Sequence, residues 1–113
     1  MRIKRGVASH AKHKKIMAQT KGMSKIRRSS IKKAKEALLK SWTYQYRDRR
    51  NKKRDFRALW ITRVGNAATA AGMSYSKFIG GLKANKIELD RKTLAEIAVS
   101  QPEVFKQIVD KVK

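Results

Sequence analysis

Apolar residues change their spacing part-way along the chain. From Leu59 onward they recur at helical intervals of three and four. Leu59, Val64, Ala67, Ala68 and Ala71 form one stripe, and Tyr75, Phe78, Ile79 and Leu82 form a second. Leu94, Ile97 and Ala98 mark a third face, and Val104, Phe105, Ile108 and Val109 a fourth. Polar punctuation separates these faces. Gly72 is placed to end one helix, Ser74 and Asp90 to cap the next two, Asn85-Lys86 to turn the chain, and Pro102 to open the last helix with Glu103 at its positive end. The pattern predicts a bundle of about four short helices, near the lower size limit for an independent core.

Before Leu59 the apolar positions are sparse. Residues 2–8 read as an extended lead, and Ser9 can cap a helix from His10 to Thr20 with Gly22 just past its end. That helix has little apolar surface beyond Ile16, Met17 and Ala18. From Lys25 no Pro or Gly intervenes until Gly65, and Ile26, Ile31, Ala34, Leu38, Leu39 and Trp42 sit at scattered helical positions. The spacing predicts one helix from Lys25 to Ala71, capped by Ser24 and bent at Gly65, about 70 Å long at 1.5 Å per residue. Its first two-thirds should project from the core. The fold class is therefore all-α: a long basic N-terminal helical arm, residues 1–58, followed by a small C-terminal helical bundle, residues 59–113.

Charge sharpens this division. The 113 residues carry 30 Lys and Arg against 8 Asp and Glu, a net charge of +22. Residues 1–63 hold 22 of the cations and 3 of the acids, whereas residues 64–113 hold 8 and 5. Such a basic chain points to nucleic acid or an anionic membrane. No apolar run approaches the roughly 20 residues that span a bilayer. The opening Met1-Arg2-Ile3-Lys4-Arg5-Gly6 lacks the features of a secretory signal.

The segment Trp42–Trp60 concentrates the chemistry. Trp42, Tyr46, Arg49, Lys53, Phe56 and Trp60 follow one helical stripe, with Arg47, Arg50, Arg54 and Arg57 beside it. Asp48, Lys52 and Asp55 are spaced to pair on another side. A solvated, salt-bridged helix would need more acid: two acids face seven cations between Arg47 and Arg57. RNA suits the composition, because Lys and Arg neutralise phosphates while aromatic and guanidinium planes stack on unpaired bases. A membrane-surface helix would need a continuous apolar face, which residues 44–57 lack. A general chromatin-like DNA-binding protein is the alternative.

Enzymatic chemistry finds no support. There is no Cys, no carboxylate pair set for acid–base work and no catalytic triad. His10 and His13 are too few for a zinc site, which takes three or four ligands. Gly80-Gly81 lacks the additional glycines of a nucleotide-binding loop. It serves either close packing or the approach of a partner to the backbone. No cofactor, metal or small-molecule substrate is expected.

These residues resemble a known family. Tyr46-Arg47-Asp48-Arg49-Arg50, Lys53-Arg54-Asp55-Phe56-Arg57 and Leu59-Trp60-Ile61 are similar to the signature of bacterial ribosomal large-subunit protein twenty. So are Ser74-Tyr75-Ser76-Lys77-Phe78-Ile79, Gly81-Leu82-Lys83 and Leu89-Asp90-Arg91-Lys92, together with the opening Lys4-Arg5-Gly6-Val7, His13-Lys14-Lys15 and Lys21-Gly22. Met23 stands where relatives often carry an aromatic residue, Lys25 where a Gly is usual, and Gly65-Asn66 where Asn-Ala is common. The resemblance implies a structural constituent of the large ribosomal subunit, with a basic arm threaded into large-subunit ribosomal RNA and a helical domain lying on an RNA junction. It also implies a role in early subunit assembly, neighbouring large-subunit proteins as contacts, a cytoplasmic or organellar ribosome as location and, for some members, repression of their own messenger RNA.

The residues expected to contact RNA in the arm are Arg2, Lys4, Arg5, His10, Lys12, His13, Lys14, Lys15, Lys21, Lys25, Arg27, Arg28, Lys32 and Lys33. Along the charged segment they are Trp42, Tyr46, Arg47, Arg49, Arg50, Lys52, Lys53, Arg54 and Arg57, with Arg63 beyond it. Tyr75, Ser76, Lys77, Lys83, Arg91 and Lys92 are the candidates on the module, Tyr75 being equally readable as a core residue. The arm is expected to order only on binding.

Overall fold

Gly72 and Lys86 end their helices by the same device. At each, two backbone bonds close the last turn. Met73 N donates to Ala68 O and Gly72 N to Thr69 O, at 2.9 Å each. Further along, Ile87 N donates to Leu82 O (2.9 Å) and Lys86 N to Lys83 O (3.1 Å). This pairing needs one residue in left-handed backbone, and φ is +82° at Gly72 and +53° at Lys86. Glycine adopts that conformation freely; Lys86 does so against its Cβ.

The structure is a computed structural model that describes residues 4–113. The elements, in order, are α1 (Gly6–Gln19), α2 (Ile26–Ser29), α3 (Ile31–Ala70), α4 (Tyr75–Ala84), α5 (Arg91–Ser100) and α6 (Pro102–Val112). No strand occurs among the described residues, so the fold is all-α as expected. The chain divides into two compact units at Arg50/Asn51, within α3.

In the second unit Val64, Ala68, Phe78, Leu82, Leu94, Ala95, Phe105, Val109 and Val112 form the core. The Phe78 and Phe105 rings meet at 5.3 Å and 45°. Helix α6 packs on both α4 and α5. Gly81 makes the α4–α6 approach close. A Cβ built there would overlap Val112 Cγ1 and lie 3.0 Å from Val112 O, so this glycine serves packing. Nothing lies within 4 Å of the equivalent position at Gly80.

The predicted faces are buried or half-buried as the spacing indicated, with two exceptions. Leu59 is 41% exposed and Val104 39%. Both lie at the margins of their stripes, and Ala95 and Val112 complete the inner faces instead. Ser74 has the extended backbone of an N-cap but makes no side-chain capping bond.

Asp90 does cap α5: its Oδ1 accepts from Thr93 N at 2.7 Å. That backbone bond, foremost, holds the Asp90 carboxyl below the usual carboxylate range. A depressed carboxyl stabilises the fold above its unfolded pKa, and the benefit is lost as pH falls through the folded value. Asp90→Ala should therefore lower the thermal midpoint of the full chain by a few degrees at pH 7. Melts repeated downward from pH 5 should show the difference shrinking below the ordinary carboxylate range, near 4.

The first unit departs further from expectation. Helix α1 starts at Gly6, and Ser9 lies inside it, its N–H donating to Arg5 O at 3.3 Å. Residues 6–8 thus extend the helix rather than the lead, because Val7 and Ala8 carry no signal that stops it. The single helix predicted from Lys25 is broken at Ser30, whose backbone is extended (φ −96°, ψ 121°). At the break, Ser29 Oγ competes for a backbone acceptor by donating to Lys25 O, and the backbone O of Ser30 accepts from Ala34 N as α3 begins. Lys25, not Ser24, is the residue before α2. Its φ of +38° lies in the region that favours glycine. Gly65, expected to bend the helix, lies within the continuous α3. Thr20, Ala34 and Leu38 are buried in this unit, and Ile16, Met17, Met23, Ile31 and Ala37 are half-buried. Ile26, Leu39 and Trp42 remain exposed.

Candidate nucleic-acid interface

In the first unit, α1 offers His10, Lys12, His13, Lys14 and Lys15, all exposed. Lys4 precedes the helix and Arg5 stands at its N-cap. Arg2 lies outside the described residues. Exposed Lys21 and Lys25 follow α1, Arg27 and Arg28 lie on α2, and Lys32 and Lys33 lie in the first turn of α3. No group of three metal-binding side chains occurs among the described residues.

Further along α3 the aromatic and cationic side chains are already organised against each other. The Arg50 guanidinium carbon lies 3.6 Å from the Tyr46 ring centroid, and Arg50 Nη1 donates to Tyr46 O at 3.2 Å. The Tyr44 ring has Lys40 Nζ at 4.9 Å and the Arg47 guanidinium at 4.6 Å. Such stacks hold a guanidinium flat, and Tyr46 and Trp42 stay more than half exposed. Arg49 is exposed on the same helix. Asp48 accepts from Arg47 Nε at 2.8 Å rather than pairing with Lys52 as its spacing suggested. One acid therefore tempers one cation and leaves the field positive.

The part of α3 in the second unit continues the pattern. Lys52, Lys53, Arg54, Arg57 and Arg63 are exposed. Lys52 Nζ lies 5.9 Å from the Phe56 ring, which itself meets Trp60 at 6.2 Å. Arg54 Nη1 donates to Asn51 Oδ1 at 3.3 Å.

The module candidates fall into two groups. Ser76, Lys77, Lys83 and Lys92 are exposed. Tyr75 and Arg91 are half-buried and bonded to each other, Arg91 Nε donating to Tyr75 Oη at 3.1 Å. That bond ties the start of α4 to the start of α5, so both side chains have a structural task. Sequence reasoning passed over Lys40 as a contact residue and did not single out Tyr44. The spacing Lys40–Tyr44–Arg47, four and then three residues, was the signal that could have found them.

No helix among the described residues is long and apolar enough to cross a membrane. The family model described as ribosomal protein L20 matches residues 2–108. The protein named large ribosomal subunit protein bL20 of Pelagibacter ubique is 54% identical over 110 residues, covering 97% of this chain and 93% of its own length. Proteins of the same name from Acidithiobacillus ferrooxidans and Leptothrix cholodnii are 51% and 50% identical, each across 99% of this chain, covering 94% and 95% of their own lengths. With half of its residues shared along nearly the whole length, this chain belongs to the ribosomal protein L20 family.

Proposed function

We propose that this chain is a structural, non-catalytic constituent of the large ribosomal subunit, that it binds large-subunit ribosomal RNA, and that it promotes early subunit assembly. The carrying observation is that cations and aromatic rings alternate in the open in each part of α3, Trp42–Arg50 in the first unit and Lys52–Arg57 in the second, in a chain that belongs to this family. Acids are too few there to neutralise it from within.

The division of labour follows the charge. Residues 1–58 act as the RNA-penetrating arm and residues 59–113 as the docked module. Phosphates neutralise the arm, and its helices become fully ordered in that step. In the module Ser76, Lys77, Lys83 and Lys92 face the RNA, while Tyr75 and Arg91 hold the two helix ends that present them. Neighbouring large-subunit proteins complete the environment in a cytoplasmic ribosome. The same surfaces suit a folded segment of the chain's own messenger RNA, provided it offers comparable phosphate geometry.

Co-sedimentation tests this reading. The full chain should travel with large subunits and their precursors and stay with them through a high-salt wash. Recovery only in the free pool, at every stage of subunit maturation, would overturn it.

A further inference from the structure

Beside α2 and the start of α3 lies a cleft of about 700 Å³. That is within the roughly 300–1,000 Å³ of small-ligand pockets. Its composition is unlike the rest of the arm. Met23, Ile26 and Ala37 supply an apolar lining, and Tyr44, whose ring already carries Lys40 and Arg47, lines it as well. Arg27, Lys33 and Lys40 supply cations. The cleft also contains Glu36, bound to Lys33 Nζ at 2.8 Å, a bond that holds its carboxyl below the usual carboxylate range.

We propose that this cleft receives one unstacked nucleotide of the bound RNA, its base lying on the apolar lining against Tyr44 and its phosphate between Arg27 and Lys40. A plain phosphate-binding groove has no use for an apolar lining or a carboxylate. An apolar peptide has no use for three cations. A nucleotide uses all of these features. The base takes the apolar and aromatic surface, since unpaired RNA bases stack on such planes. Lys33 and Glu36 offset each other, and Arg27 and Lys40, the latter 4.9 Å from the Tyr44 ring centroid, supply the positive charge that meets the phosphate. Glu36 can accept from a base N–H, which every base offers on its Watson–Crick edge in RNA. The cleft exists because the break at Ser30 separates α2 from α3; an unbroken helix from Lys25 would not form it.

This inference rests on the RNA-binding reading, so its test separates the two. The full chain is bound to large-subunit ribosomal RNA and probed in two ways, by hydroxyl radicals for backbone protection and by base-specific reagents for Watson–Crick edges. Ala37→Leu narrows the cleft and Tyr44→Leu removes its ring; both keep good helix formers. With the unaltered chain, one unpaired base should be protected. In both variants its reactivity should rise about fivefold or more, the factor a lost base–aromatic stack implies, while the backbone footprint persists. An unchanged pattern of base protection in both variants would overturn the cleft assignment alone. Absence of any footprint with the unaltered chain would overturn both readings.

Discussion

Phe78→Ala should leave the C-terminal module at or below the threshold of folding. Phe78 is fully buried and shares its ring contact with Phe105. Truncating a buried Phe costs about 3–5 kcal/mol, through lost transfer free energy and the cavity left behind. A unit of this size has only about 3–9 kcal/mol to lose, at 0.05–0.15 kcal/mol per residue. In a thermal melt of the full chain, followed by near-ultraviolet circular dichroism, the cooperative transition should move down steeply or vanish. Phe105→Ala should behave alike. The pair together should cost less than the sum, by the roughly 0.5–1.5 kcal/mol that two aromatic rings contribute beyond their burial. Val99→Ala is the control: Val99 is 67% exposed, and its loss should stay within about 0.5 kcal/mol. A Phe78→Ala chain that melts like the parent would mean that the ring does not sit at the centre of this core.

The module was legible in the sequence because its signals agree. Helical spacing of Phe78, Leu82, Leu94, Phe105 and Val109, a Gly at the end of α3 and an Asp before α5 all describe the same bundle. What periodicity could not supply was Val112 against Gly81, a contact between residues 31 apart in the chain that only the packed helices bring together. The first unit was less legible for a physical reason. Its apolar residues are few, so local backbone choices decide its helix ends, and these are weakly encoded. Ser30 breaks the helix and Lys25 takes positive φ, yet neither residue type demands it. Lys25 holds a φ of +38°, which glycine adopts more freely. On the candidate interface, exposure of the predicted cations follows from composition alone. The pairing of Tyr75 with Arg91 does not, because it depends on how two helix starts meet.

Removing four of the α3 cations should change the salt dependence of binding more than any other property of the chain. Arg47, Arg50, Arg54 and Arg57 are exposed. Replacing all four with Gln keeps helix propensity and polar surface while deleting the charges. Affinity for RNA falls linearly in log–log form with salt, by about 0.7–0.9 in slope for each phosphate neutralised. A protein with six to ten such contacts loses about 10³–10⁵ in affinity between 50 and 200 mM salt. If the four arginines each meet a phosphate, the variant's slope should be shallower by about 3, and its affinity at low salt correspondingly poorer. The control replaces three exposed cations elsewhere, Lys106, Lys111 and Lys113, on or just beyond α6, which should leave the slope nearly unchanged. Filter binding of the full chain to large-subunit RNA across this salt range separates the outcomes. Equal slopes for parent and four-arginine variant would mean that these guanidiniums point at something other than phosphate, and the stack of Arg50 on Tyr46 would then be the first place to look for bases instead.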